Sequence, residues 1–125
     1  ARGLHYQAGD ASQSKLVRVS EGAVIDYAVD LRTGSPTFGR WQSFELSAEN
    51  GCQLFVPSGF AHGFAVISET ATFQYKVDNL YCPQAERCIS FFDPQLAIDM
   101  QLPAEEMIFS EKDSKGVSFA EAEKF

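Results

Sequence analysis

The sequence has few of the residues that cross-link or metallate a small domain. It contains only two histidines and three cysteines, Cys52, Cys82 and Cys88, none of them in a CxxC pair. An odd number of cysteines without such a pair favours reduced thiols in the cytoplasm over a secreted disulfide framework. A chain of 125 residues needs no such staples, because one domain of that size buries roughly two thirds of its unfolded surface. We therefore expect a single domain over residues 1–125.

Basic residues are also scarce. Ten lysines and arginines stand against seventeen acidic residues, which leaves a formal charge of −7. This balance argues against a nucleic acid or an anionic membrane as the main partner. No apolar run approaches the roughly 20 residues of a membrane span. An anionic ligand would need a local basic pocket.

Helical periodicity is largely missing, and alternation with a period of two dominates. From Ala71 to Val77 the odd positions are apolar or aromatic and the even positions polar, which predicts a half-buried strand. Similar runs, separated by Gly, Pro and Asn turns, predict an all-β sandwich or jelly-roll barrel. Pro103 predicts one helical turn, and the capping pattern at Ser118 predicts a short C-terminal helix. The predicted strands are 4–7, 15–19, 23–31, 41–46, 52–56, 63–68, 71–77 and 87–92.

The two histidines can be weighed one at a time. His5 lies on the strand face opposite Leu4, where it is either a hydrogen-bonded structural histidine or a functional group. His62 ends the spacing G-x5-P-x-G-x2-H that begins at Gly51, which resembles a motif of the cupin superfamily. The His-x-His pair of metal-binding cupins is absent, and Val66 stands where they carry asparagine. Two histidines without a close carboxylate make a weak transition-metal site, so we expect no metal.

Two further side chains occupy unexpected positions. Lys15 shares a strand face with Val17 and Val19, so its ammonium either points inward or lies at an edge with its head in water. Tyr75 shares the apolar face of its strand with Phe73, which by itself favours a core tyrosine.

Together these residues form a series of motifs that resembles the dTDP-4-dehydrorhamnose 3,5-epimerase family. The resemblance runs in order from Arg2 to Asp113 and implies a cupin-type jelly roll. Family members carry a further segment ahead of the first motif, and we expect this chain to lack it. The motifs are RGLHYQ from Arg2, KLV from Lys15, DxxxDLRxxSPTxG from Asp26, PxGFAHGF from Pro57, Tyr75-Lys76, Tyr81, Pro83, Glu86, Asp93-Pro94 and Ser110-Glu111-Lys112-Asp113.

The resemblance implies a cofactor-independent epimerisation of a nucleotide-linked 4-keto-6-deoxyhexose. The ketone acidifies the neighbouring C–H bonds at carbons 3 and 5, and inversion of one carbon only stays open beside inversion of both. His5 would be the base and Asp113 its orienting carboxylate, which we expect to hold the His5 pKa near or above about 6.5. Lys15 would face the enolate oxygen, and Tyr75 would return a proton from the other side.

The resemblance also implies the substrate contacts and the assembly. Arg2 would bind the diphosphate, and a cluster of Arg2, Lys15 and Lys112 would supply the basic pocket. A homodimer is implied as well. Two other classes stay open: a non-catalytic sugar-nucleotide-binding cupin and a metal-dependent cupin enzyme. The substrate-binding candidates are Arg2, Gln7, Asp26, His62, Tyr81, Glu86 and Lys112; for Asp26 and Glu86 a solvated surface role is the alternative.

Overall fold

The computed structural model describes residues 1–125 as two antiparallel sheets facing each other. The larger sheet has the strand order β4-β3-β6-β1-β8, and the smaller has the order β5-β2-β7. Eight strands joined without long helices confirm the predicted all-β class. The strands are β1 Arg2–Gln7, β2 Lys15–Glu21, β3 Ala23–Asp30, β4 Trp41–Ser47, β5 Gln53–Val56, β6 Phe60–Val66, β7 Thr72–Val77 and β8 Glu86–Cys88.

The last predicted strand, 87–92, is wrong beyond its first residues. The strand β8 ends at Cys88, although Ile89 still exchanges two backbone hydrogen bonds with Leu4 of β1. After Ile89 the chain leaves the sheet; Ile89 and Phe91 are buried against the larger sheet, and Ile89 bridges to Val117. The apolar side chains of this run therefore serve tertiary packing rather than a longer strand.

Helices are confined to short pieces. The turn predicted after Pro103 is present as the 3₁₀ helix Ala104–Glu106, and two further 3₁₀ helices span Gly9–Ala11 and Pro83–Ala85. The one α-helix, α1 Glu111–Ser114, begins where the Ser110 hydroxyl accepts the Asp113 amide. None of the helices has the length and apolar character that crossing a membrane requires.

The predicted C-terminal helix is wrong, because only one turn forms there. The Ser118 hydroxyl accepts the Glu121 amide at 3.2 Å, as the capping pattern requires. The chain is then drawn away by tertiary contacts: the Tyr6 hydroxyl donates to the Glu123 carbonyl and the Phe125 amide donates to the Leu31 carbonyl. Anchoring the last residues to β1 and to the end of β3 replaces further helical turns.

Alternation along the strands gives the larger sheet two different faces. On the face away from the smaller sheet, fifteen buried residues form what we call the outer core. Leu4 and Tyr27 from the strands pack there against Ile89, Phe91 and Phe119 from the C-terminal segment. A segment with little regular structure thus covers most of this face of the sheet.

Between the two sheets lies the inner core, which has only four buried apolar residues: Val24 and Leu46 from the larger sheet and Val17 and Val19 from the smaller one. The two sheets meet there where Phe64 of β6 stacks on Phe73 of β7, with ring centroids 4.2 Å apart. Beyond this contact, polar side chains take up the space between the sheets.

Two glycines let β1 and β6 approach closely. A Cβ on Gly3 would lie 2.6 Å from the Gly63 Cα, and one on Gly63 would lie 2.6 Å from the Arg2 carbonyl oxygen. Gly3 also has a φ of 115°, in the region that side chains avoid. The pairing register shifts between Arg2 and His5, and such an irregularity re-aims the side chains beside it.

Candidate active site

A pocket opens between the two sheets at the His5 end of β1. Its volume is about 240 Å³ and its mouth is open to solvent. Clefts of this kind hold small-molecule ligands. An inner recess continues past Lys15 to the stacked pair Phe64 and Phe73. The lining residues of the main pocket are Arg2, His5, Tyr6, Gln7, Gln13, Lys15, Tyr75, Val77, Tyr81 and Glu86.

His5 forms a dyad with Asp113. The His5 Nε2 lies 2.5 Å from Asp113 Oδ1, and the Gly3 amide donates to Asp113 Oδ2 at 3.1 Å. The side chains are 15% and 4% exposed, respectively. The capped helix α1 holds the Asp113 backbone, and the Gly3 amide holds its carboxylate. The carboxylate in turn fixes the orientation of the His5 imidazole.

The pKa of His5 is lowered from its ordinary value. Burial is the main cause and outweighs the hydrogen bond and the negative charge of Asp113, while the positive charge of Arg2 lowers this pKa further. The expectation of a His5 pKa near or above 6.5 is therefore wrong in direction. Its consequence for a base is favourable, since the imidazole is neutral and can accept a proton at neutral pH.

Lys15 extends from the smaller sheet into the same pocket. Its ammonium therefore points inward and does not lie in water at a sheet edge. Lys15 is partly buried and forms no hydrogen bond or ion pair within the chain. Burial lowers its pKa, and the charge of Arg2 adds to that effect. Arg2 likewise lines the pocket without a partner. Two cationic groups are thus available to an anionic ligand.

Tyr75 is not a core tyrosine. It is 54% exposed and lines both the pocket and its inner recess. Tyr75 pairs with Val17 across β2 and β7, while Lys15 pairs with Val77. Tyr75 and Lys15 are therefore diagonal neighbours on one face of the smaller sheet, and both lie across the pocket from His5 on the larger sheet.

His62 and Asp26 form a second buried pair. The His62 Nε2 lies 2.9 Å from both carboxylate oxygens of Asp26, and Asp26 is fully buried. Burial raises the pKa of Asp26, although His62 and Lys15 act in the opposite direction. The alternative of a solvated surface role for Asp26 is wrong, because the residue is fully buried. The expectation that the two histidines lack a close carboxylate is also wrong, since His5 bonds Asp113 and His62 bonds Asp26.

A chain of three polar side chains lies at the pocket mouth. The Tyr81 hydroxyl donates to Glu86 Oε2 at 2.8 Å, and the Lys112 ammonium donates to the same oxygen at 2.6 Å. Burial raises the pKa of Glu86, but the hydrogen bonds from Lys112 and Tyr81 lower it more. Because Lys112 is already paired, the expected basic cluster shrinks to Arg2 and Lys15.

Gln7 lies at the back of the pocket and is 4% exposed. Its side-chain amide is engaged by three backbone groups, the carbonyls of Ala11 and Leu80 and the amide of Cys82. This engagement does not fit the expected direct contact with a substrate.

Sequence reasoning missed two features of the site. Cys88 pairs with His5 across β1 and β8, and its sulfur lies 3.9 Å from Asp113 Oδ1. The trio of His5, Cys88 and Asp113 has ligand atoms within 4.8 Å of one another, but burial raises the Cys88 pKa to about 11, which favours the thiol over the metal-binding thiolate. No local pattern marks Cys88. The stacked pair Phe64 and Phe73, which lines the inner recess, was not predicted either. The alternation along β7 puts Phe73 on the same face as Tyr75 and could have predicted that Phe73 lies near the pocket.

Comparison with known proteins decides the family. The profile described as dTDP-4-dehydrorhamnose 3,5-epimerase matches residues 1–121. The chain belongs to the dTDP-4-dehydrorhamnose 3,5-epimerase family. The family's enzyme from Pseudomonas aeruginosa is 54% identical over 124 residues, which cover 99% of this chain and 67% of that relative. The Shigella flexneri enzyme is 48% identical with the same coverage of both chains.

Solved structures of the family have the same fold. The epimerase of Elizabethkingia anophelis superposes with a TM-score of 0.94 at 53% identity, over 95% of this chain and 65% of that one. A 3,5-epimerase of Legionella pneumophila, solved with dTDP-4-keto-L-rhamnose, gives 0.93 at 48% identity, over 98% and 64%. The fold is the cupin-type jelly roll of this family. The chain spans about two thirds of the length of the relatives that it matches.

Proposed function

We propose that residues 1–125 act as one cupin-type domain that epimerises a dTDP-4-keto-6-deoxyhexose through an enolate. One observation carries the proposal: the dyad of His5 and Asp113 faces Lys15 and Tyr75 across a single pocket. His5 removes the proton next to the ketone, and Asp113 stabilises the imidazolium. Lys15 stabilises the enolate oxygen, and Tyr75 delivers a proton from the opposite sheet to the other face of the sugar.

The charges around the pocket support a nucleotide diphosphate sugar as substrate. The protein carries a net charge of −7, yet Arg2 and Lys15 line the pocket without an anionic partner. The planar fork of Arg2 suits a diphosphate oxygen pair. Relatives have been solved with dTDP-4-keto-L-rhamnose and with TDP and pyrophosphate bound. His62 with Asp26, and Tyr81 with Glu86 and Lys112, supply further polar groups around the sugar.

We propose inversion at both carbons, 3 and 5. Curated relatives at 43 to 54% identity are named for both positions. A relative described as a 3′-monoepimerase is more distant, at 31 and 32% identity in its two structures. A single-carbon epimerase is therefore the second candidate.

The experiment is incubation of the protein with dTDP-4-keto-6-deoxyglucose in deuterated water. Nuclear magnetic resonance then counts the carbons that take up deuterium and the carbons that invert. Exchange and inversion at carbons 3 and 5 are expected. Exchange at one carbon would select the single-carbon alternative, whereas binding without exchange would select the non-catalytic class. Activity that depends on added metal and is lost with a chelator would select the metal-dependent class.

We further propose a homodimer and a cytoplasmic location. Apolar side chains are exposed on the outer face of the smaller sheet, where Leu16 pairs with Phe55. All three cysteines are free, which suits a reducing compartment. A monomer mass by light scattering at micromolar concentration would contradict the dimer, and recovery of the protein outside the cytoplasm would contradict the location.

A further inference from the structure

Tyr81 lies in one wall of the pocket, and two loops form this wall. The first, residues 8–14, joins β1 to β2, and the second, which we call the Tyr81 loop, spans residues 78–82. Asn79 of the Tyr81 loop donates to the carbonyls of Asp10 and Ser12, at 3.0 and 3.2 Å. The Ser14 amide donates in return to Asp78 Oδ1 at 2.8 Å. The wall therefore consists of two irregular segments that depend on each other.

Gln7 joins both loops to β1. Its Nε2 donates to the Ala11 carbonyl at 2.7 Å in one loop and to the Leu80 carbonyl at 3.1 Å in the other. Its Oε1 accepts the Cys82 amide at 2.8 Å. The bonds to Leu80 and Cys82 hold the backbone on either side of Tyr81.

Both donor hydrogens of the Gln7 side chain are used by the two loops. A glutamine amide has two donor hydrogens, and both are used on carbonyls from residues distant from the catalytic dyad. Reversing the amide would set a carbonyl oxygen against two others and leave the Cys82 amide facing a donor. The side chain is 4% exposed, so it has no donor left for a substrate.

We propose that Gln7 is a positioning residue that holds the Tyr81 loop in its substrate-binding conformation; this rests on the proposed function of the pocket. Tyr81 is 65% exposed, and its own hydroxyl contact is with Glu86. The backbone must therefore supply the order that its side chain lacks. A preorganised loop spares the substrate the entropic cost of ordering it. Because His5 lies on the same strand, β1 carries both the base and this anchor.

The first measurement compares Gln7→Met with Gln95→Met. Methionine keeps the length of glutamine and removes all three hydrogen bonds. Gln95 is exposed in the C-terminal segment, away from the pocket and from the smaller sheet, and serves as the matched control. Gln7→Met should raise KM about tenfold and leave kcat within threefold, while the control changes neither. Amide hydrogen exchange at Cys82 should be slow in the unaltered protein and at least tenfold faster in Gln7→Met.

The second measurement tests whether Gln7 acts through Tyr81. In a Tyr81→Ala background, Gln7→Met should raise KM by less than threefold, because the side chain that it positions is gone. A full tenfold increase in that background, or a loss of kcat at constant KM, would overturn the inference. So would fast exchange of the Cys82 amide in the unaltered protein. If the unaltered protein lacks epimerase activity, the proposed function fails, and the amide exchange alone decides whether Gln7 holds the loop.

Discussion

The two faces of the larger sheet differ in what they bury. The outer core has fifteen buried apolar residues, whereas the inner core has four. On β1 the difference is visible between neighbours, since Leu4 is fully buried in the outer core and His5 points into the pocket. One face of the sheet is built for stability, and the other leaves room for a substrate.

The space between the two sheets holds groups whose charged forms are disfavoured by burial. Burial lowers the pKa values of His5 and Lys15 and raises that of Asp26. Such groups are unfavourable for folding but suited to proton transfer. The outer core therefore has to supply most of the free energy of folding. Apolar side chains of the C-terminal segment make up part of this core. Five predictions test this division.

The largest effect is expected from His5→Ala. The proposed base is lost, so both solvent exchange and epimerisation should fall by about 10²- to 10⁴-fold. The melting temperature should fall less than in a variant of the outer core, because His5 belongs to neither apolar core and only its bond to Asp113 is lost. Deuterium exchange into the substrate, together with thermal denaturation, makes the measurement. A variant that keeps its activity, or that unfolds, would contradict the division.

Leu4→Ala, one residue away, is expected to do the reverse. Removing a fully buried leucine from the outer core should lower the free energy of unfolding by about 2–5 kcal/mol. The folded fraction should keep a kcat close to that of the unaltered protein. Urea denaturation gives the stability, and kcat is measured below the melting temperature. Equal losses in Leu4→Ala and His5→Ala of both quantities would show that the two faces are not separable.

Tyr75→Phe separates the two sides of the pocket. Inversion should fall by roughly 10²- to 10³-fold, because the proposed acid on the far side is lost. Some deuterium exchange at the α-carbon should remain, since His5 can still remove and return a proton on the same face. If exchange disappears as completely as in His5→Ala, Tyr75 does not act alone on that side, and Tyr81 becomes the next acid to test.

Asp26 and Asp30 lie on the same face of β3, and their substitution compares a residue of the pocket with a structural one. Hydrogen bonds from Arg32, Ser35 and Thr37 outweigh burial and lower the pKa of Asp30, whereas burial raises that of Asp26. Asp30→Asn should therefore cost about 1–3 kcal/mol at pH 7, and Asp26→Asn less than about 1 kcal/mol.

The pH dependence of unfolding checks the sign for Asp30. A lowered folded pKa means that its contribution is present above the unfolded value of about 3.9 and is lost as the pH falls toward the folded value. Chemical denaturation between pH 5 and pH 2 should show a constant deficit for Asp30→Asn above about pH 4 and a shrinking one below it. A larger loss of stability for Asp26→Asn than for Asp30→Asn would reverse the comparison.

The smallest effect is a shift of the pH profile. The acid limb of kcat/KM should lie below about 6.5, since the His5 pKa is lowered and the neutral imidazole is the proposed base. The alkaline limb should lie below the ordinary lysine value of about 10.4, because the Lys15 pKa is lowered and its ammonium form is the proposed stabiliser of the enolate. Asp113→Asn should move the acid limb to lower pH, as Asp113 raises the His5 pKa. An acid limb above 6.5 would contradict this balance.

Local pattern was sufficient for much of the fold. Period-two alternation predicted seven of the eight strands to within a few residues and assigned Leu4 and His5 to opposite faces. It failed where long-range packing prevailed: the chain leaves the sheet after Ile89 so that Phe91 packs in the outer core, and the residues after Ser118 are anchored to β1 instead of continuing a helix. The helix α1 was not predicted, although Ser110 precedes Asp113 by three residues, which is the spacing of a helix cap.

The sequence by itself determined which chemical groups this protein has and on which strand face each lies, because side-chain alternation is a local steric property. Only the tertiary structure decided which groups meet. His5 and Asp113 are 108 residues apart along the chain, and His62 and Asp26 are 36 apart. It also decided the exposure of Tyr75 and the lowered pKa of His5, since burial and net electrostatic balance depend on every surrounding element and not on neighbours in sequence.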